Sequence, residues 1–226
     1  MAQLNPDSKI REIQEFTKKV YEIPNNRHFE LGEMLNNIQR FAMRGLKGIR
    51  KGDLDKTRKN LIISFFWFMS TLVRLEIDLE EEVWKRFPYL CSYCGTCPCS
   101  CKSKKVANRQ KPIVNDDLKP TTLNGFQEMF AKIYPASSRN LEHAGVHLAE
   151  EIGEFSEAYW AFRSERTEND FQSLVIEAAD YFSCLIGVFN SMNSSFADEI
   201  SKMFYNNCHE CHNAPCTCSF ERIKKY

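Results

Sequence analysis

Net charge is the first thing this sequence lacks: 30 lysines and arginines face 30 aspartates and glutamates. That balance excludes a whole-protein field drawing the chain to nucleic acid or an anionic membrane, and leaves only local basic stretches to do so. A membrane-spanning run is also missing. The longest apolar stretches, Leu61 to Val73 and Leu174 to Phe189, fall short of the roughly 20 residues a bilayer requires, and the second carries two carboxylates. The opening Met1-Ala2-Gln3-Leu4-Asn5-Pro6-Asp7 has no basic segment followed by an apolar one, so no secretory leader is expected. Strand signals are nearly absent, since no long alternating segment is bounded by Asn-Gly or Asp-Gly turns. These absences predict a cytoplasmic, all-α protein with no membrane partner.

What the chain does contain, it says twice. Ile13-Gln14-Glu15-Phe16-Thr17-Lys18-Lys19-Val20-Tyr21 reads against Phe126-Gln127-Glu128-Met129-Phe130-Ala131-Lys132-Ile133-Tyr134. Cys91, Cys94, Cys99 and Cys101 return as Cys208, Cys211, Cys216 and Cys218, so C-x2-C-x4-C-x-C appears in both halves, with Pro98 and Pro215 before the third cysteine. Two landmarks in one order indicate a duplicated unit. The predicted organisation is two tandem helical bundles, residues 1–101 and 120–226, joined by a polar linker at 102–119. Lys102, Lys104, Lys105, Arg109 and Lys111 make that linker the one dense basic stretch. It reads as a solvated linker or as a phosphate-contacting arm. Asn5-Pro6 is the expected start of the first helix and Thr121 or Thr122 of its repeat, with Pro135 to Ser138 as the following turn. Arg163 to Asp170 is the turn before the next helix, and Asp78-x-x-Glu81 and Ser195-x-x-Asp198 resemble capping boxes.

Ten cysteines in a reducing compartment argue for metal rather than disulfides. Four thiolates at this spacing can close tetrahedrally on zinc, giving two structural zinc ions per chain that staple the end of the fourth helix. Disulfides and an iron-sulfur cluster stay open as alternatives. Cys97 has no counterpart, and His209 and His212 flank the second cluster, so the four ligands there are not fixed by sequence.

The acidic residues appear in the second copy alone. On a helix turning about 100° per residue, Leu148, Ile152, Phe155, Tyr159 and Phe162 form one stripe, with Glu150, Glu154 and Glu157 opposite and Glu151 a quarter-turn round. By itself this is an amphipathic helix with a solvated acidic face. Glu177 and Asp180, however, share a face of the nearly all-apolar Leu174–Phe189 helix, where an unpaired carboxylate is costly and no lysine or arginine of that helix offers a partner. Clustered carboxylates around magnesium resolve the conflict. Aligning Leu31 with Leu148 puts Met34 and Asn37 opposite Glu151 and Glu154, and aligning Leu61 with Leu174 puts Ser64 and Trp67 opposite Glu177 and Asp180. Four carboxylates vanish together while the apolar pattern survives.

Glu151-x-x-Glu154 followed after 22 residues by Glu177-x-x-Asp180 resembles the signature of the MazG-like, all-α nucleoside triphosphate pyrophosphohydrolases. The likeness covers roughly Leu123 to Met203 and, in degenerate form, Ile10 to Trp84. It implies a magnesium-dependent enzyme that cleaves between the α and β phosphates of a nucleotide, releasing a monophosphate and pyrophosphate. Glu151, Glu154, Glu177 and Asp180 would bind the metal, with Glu150 an added ligand or the group orienting water. Lys132, Arg139, Arg163 and Arg166 are candidates for phosphate contacts, and His147, Trp160 and Asn190 for base contacts; each has a bland reading as a surface, packing or capping residue. His143 and His147, four apart, also have the spacing of a metal pair. Related enzymes assemble their bundles between subunits, so the fusion implies an internal pseudo-dimer with one working site, with or without further homo-oligomerisation. The competing expectation is a zinc-stabilised nucleotide- or nucleic-acid-binding protein with little hydrolysis.

Overall fold

The computed structural model describes residues 3–104, 107–110, 113–135 and 140–219. Among these the chain forms eight α-helices and no strand: α1 (Ile10–His28), α2 (Leu31–Lys51), α3 (Leu54–Arg74), α4 (Leu79–Arg86), α5 (Leu123–Ile133), α6 (Leu141–Glu165), α7 (Glu168–Ser191) and α8 (Phe196–Met203). Local chemistry sets most starts. Asp78, Thr122, Asn140, Thr167 and Ser195 each accept a hydrogen bond from a backbone N–H of the first turn, as expected of N-cap residues. Asn5 does not open α1. Its side chain accepts from Asp7 N at 2.8 Å and its carbonyl from Ser8 N at 3.0 Å, closing a separate turn, and the helix begins only after Lys9. The expected charged turn from Arg163 to Asp170 is nearly all helix. Arg166 (φ 55°) ends α6 and Thr167 starts α7, because acidic Glu168 and Asp170 suit a helix N-terminus. Ala136 to Arg139 lie outside the described residues.

The halves repeat the same order, two long hairpins (α2–α3 and α6–α7) each preceded by one helix and followed by a short one. Gln14 donates to Ile77 O and accepts from Leu79 N, and Gln127 does the same with Ser194 O and Phe196 N. α3 and α7 end alike, with Leu75 and Met192 as C-caps followed by left-handed Glu76 (φ 57°) and Asn193 (φ 51°). That match carries Asn60 onto Glu177 and Ile63 onto Asp180, so the alignment of Leu61 with Leu174 is slipped by about one helical turn. Likewise neither the starts of α2 and α6 (Leu31 with Leu141) nor their caps (Gly52 with Arg166) put Leu31 opposite Leu148. Under either match Glu151 and Glu154 meet non-acidic residues, Phe41 and Arg44 or Asn37 and Arg40, so the loss of the acidic set stands.

The apolar interior is one continuous cluster to which both halves contribute. Ser64 and Tyr181 occupy corresponding positions and touch, Oγ to Oη at 3.2 Å, and the corresponding Phe65 and Phe182 rings lie 6.0 Å apart. α4 of the first half packs on α7 of the second, and α2 packs on α6. α7 extends well beyond the apolar run of its sequence, to 24 residues, and by length and composition it would suffice to cross a membrane. In the fold 61% of its most apolar window is buried against other helices. The linker is anchored: Trp84 Nε1 donates to Asp116 Oδ1 at 2.7 Å and Lys119 Nζ pairs with Glu81 at 2.7 Å. Lys102, Lys104 and Arg109 are exposed, while Lys105 and Lys111 lie outside the described residues.

Candidate metal centres

Glu151 of α6 and Glu177 and Asp180 of α7 each bring a carboxylate oxygen to one place, all within 4.8 Å of one another. α7 is buried on most sides, so its two acids cannot reach bulk water freely. The i, i+3 spacing puts them on the face turned to α6. One Oε2 of Glu151 and one of Glu177 are buried with no hydrogen-bond partner. Burial, then the neighbouring charges of Asp180 and Glu154, push the Glu151 carboxyl up to about 8. Burial and the same two acids push Glu177 up to about 7. Glu154 is exposed at the rim, outside the tight trio but near enough for its charge to be felt by both glutamates.

A cation does reach this place, and it comes from the other half. Arg86, in the last turn of α4, donates from Nε to Asp180 Oδ1 at 3.0 Å and from Nη2 to Oδ2 at 2.7 Å, a bidentate clasp with both side chains largely buried. Sequence reading sought a partner for Asp180 within its own helix and missed this one. Arg86 satisfies Asp180 and leaves the two glutamates short of positive charge. Three converging acids with Glu154 at the rim, two of their oxygens orphaned, form a donor set suited to a hard divalent cation such as magnesium. Where Asp180 stands, the first half has Ile63, which lines an apolar cavity with Phe41, Phe66 and Trp67.

The remaining candidates disperse. Glu150 faces away from the trio, exposed and 3.2 Å from His147 Nδ1, and His147 stacks loosely on His143 with ring centroids 4.5 Å apart. Trp160 lies nine residues, about 14 Å, along the helix from Glu151. It packs with Arg163, whose Cζ is 5.2 Å from the indole, against Gly32 of α2, where a Cβ would come within 3.1 Å of the indole ring. A close helix crossing thus holds both residues. Asn190, about 15 Å beyond Asp180 along α7, exchanges hydrogen bonds with Gln127 and is a clasp to α5. Arg166 serves as a helix cap, Lys132 lies over the Tyr89 ring at 5.5 Å, and Arg139 is outside the described residues. A second cation that sequence reading did not assign to the site is Arg109, whose charge is felt at Glu177 and whose guanidinium sits 6.0 Å from the Tyr93 ring centroid.

Cys91, Cys94, Cys99 and Cys101 form one four-sulfur group, and Cys208, Cys211, Cys216 and Cys218 another. Cys91 and Cys101 are 3.7 Å apart, Cys94 and Cys99 4.0 Å, and Cys208–Cys218 and Cys211–Cys216 both 3.8 Å. A tetrahedron with Zn–S of about 2.3 Å has an edge of about 3.8 Å. A disulfide needs about 2.05 Å, and none is present among the described residues. Backbone amides of Tyr93, Ser100, Glu210 and Thr217 donate to sulfur at corresponding positions, which favours thiolates. Hydrogen bonds hold the Cys94 thiol down to about 5 against burial and Cys208 down to about 4, while burial and neighbouring sulfurs push Cys99, Cys101 and Cys218 up, and a neighbouring sulfur and burial push Cys216 up. Cys97, His209 and His212 stand outside the sulfur groups.

Each group docks across the molecule. Cys99 N donates to Ile133 O at the end of α5, and Cys216 N donates to Val20 O of α1, both at 2.8 Å. Corresponding Tyr134 and Tyr21 place their hydroxyls beside Cys91 and Cys208. The two groups therefore pin the opposite half's first helix as well as the end of their own fourth. No protein-family model, curated protein or solved structure matches this chain.

Proposed function

We propose that this chain is a magnesium-dependent nucleotide pyrophosphohydrolase, a MazG-like protein whose two halves form an internal pseudo-dimer with one working centre. The observation that carries the reading is the meeting of Glu151, Glu177 and Asp180 with two buried, partnerless oxygens among them. Magnesium, when bound, neutralises triphosphate charge and activates water. The chain's own residues supply the rest. Glu151, Glu177 and Asp180 offer converging oxygens, Glu154 adds a fourth from the rim, and the apolar wall of α7 keeps the ligands from bulk water. The two cysteine groups hold structural zinc, and their reduced thiols suit the cytoplasm. Since both halves are fused, the bundle needs no second copy to be complete.

The test is incubation with a panel of ribo- and deoxyribonucleoside triphosphates and magnesium, with phosphate resolved from pyrophosphate. Pyrophosphate release abolished by Glu154→Ala or Asp180→Ala is the expected result. No turnover of any nucleotide, alongside tight binding of DNA or RNA, would overturn it in favour of a zinc-stabilised binding protein, the reading that exposed Lys102, Lys104 and Arg109 favour.

A further inference from the structure

The half that lost its carboxylates kept something in exchange. Arg86 corresponds to Met203 of the second half, just as Phe87 corresponds to Phe204, so the charged residue is present only where the acids are absent. Its guanidinium crosses to the acidic trio of the other half, where Asp180 takes both of its forward N–H groups. Arg109 of the linker lies against the first cysteine group, its guanidinium 6.0 Å from the Tyr93 ring centroid. These two arginines flank the first cysteine group. Arg86 precedes Cys91 by one short turn, and Gln110 N, next to Arg109, donates to Tyr93 O at 3.1 Å within the cysteine loop. A side chain on Gly95 of that loop would come within 3.1 Å of Gln110, so loop and linker are in contact.

From this placement we infer that Arg86 is the phosphate-binding residue of the carboxylate centre, delivered by the first half and held there by its cysteine group. Before an anion arrives, Arg86 occupies Asp180. A polyphosphate carrying its own cation gives Asp180 a new partner and gives the guanidinium phosphate oxygens, which match its fork as well as a carboxylate does. The apparent scaffold half thus contributes directly to the centre. The identity of the anion as a nucleotide polyphosphate rests on the pyrophosphohydrolase reading; the arginine placement does not.

Calorimetry on the full-length, zinc-loaded protein tests this, with Mn2+ alone, inorganic pyrophosphate alone, and pyrophosphate in the presence of Mn2+ as probes. Arg86→Lys, which keeps a charge beside Asp180, is expected to weaken pyrophosphate binding about tenfold to a hundredfold. Mn2+ alone should bind this variant as tightly as wild type or more tightly. Unchanged pyrophosphate affinity in Arg86→Lys overturns the inference. Loss of Mn2+ binding in Arg86→Lys overturns it too, since Arg86 would then be only a prop for Asp180. Arginine-dependent pyrophosphate binding by a wild type that hydrolyses no nucleotide would sustain the inference while the enzyme reading falls.

Discussion

Replacing Glu151 by glutamine removes the acid that the metal-free fold tolerates least. With carboxyls raised to about 8 at Glu151 and about 7 at Glu177, the folded chain holds protons that the unfolded chain has already released above the ordinary carboxylate range. Metal-free stability from these groups is therefore fully present below the ordinary carboxylate range, declines as pH rises above it, and is lost once pH has passed through about 7 and 8. A divalent cation competes for the same oxygens, so its affinity should climb over that window. A metal present at a hundred times its dissociation constant contributes about 2.7 kcal/mol. For a chain of this length, at about 2 to 4 °C per kcal/mol, the melting temperature should rise by about 5 to 11 °C. Melting followed by circular dichroism at pH 6 and pH 8.5, with and without Mg2+ or Mn2+, measures this. Wild type should show the full rise at the higher pH and little at the lower. Glu151→Gln should melt at or above wild type without metal at pH 8.5 and gain nothing from metal. A variant that melts well below wild type yet keeps its metal response would refute the reasoning.

Elemental analysis should find two zinc ions per chain, and a strong chelator should lower the melting temperature; metal-free protein with oxidised cysteines would contradict the four-sulfur geometry. Asn190→Ala should cost about 1 kcal/mol in urea denaturation through the lost exchange with Gln127, with no change in KM for any nucleotide turned over. Phe65→Ala removes a fully buried ring where the halves meet. It should cost about 3 to 5 kcal/mol in the same assay and leave a single transition, because the core is continuous.

The all-α class, the capped starts at Asp78, Thr122 and Ser195, and the burial of α7 were legible because each depends on residues adjacent in sequence. So was the convergence of Glu177 and Asp180, set by one helical spacing. The register of α3 on α7 was misread because shifting an amphipathic pattern by four residues nearly reproduces it; the matched left-handed residues after the two helices fix it, at the same separation that already relates Asp78 to Ser195 and Cys91 to Cys208. The packing contacts of Trp160, Arg163 and Asn190 were hidden for a different reason. A polar or aromatic side chain on a helix looks equally fit for ligand or neighbour until the neighbour is known, and here the neighbours are Gly32 and Gln127. Arg86 was hidden by distance along the chain, its partner lying in the other half. Its trace in the sequence is the exchange between copies, an arginine in the first where the second has Met203.

The crossed docking of the cysteine groups has a topological result. Because each half's tail ends on the other's opening helix, neither portion expressed separately would have anything to close upon, and each would present raw apolar surface. A cut in the exposed connection between them is another matter: both pieces stay interlocked through two reciprocal handholds, and a nicked molecule should behave as an intact one until either cysteine group is undone.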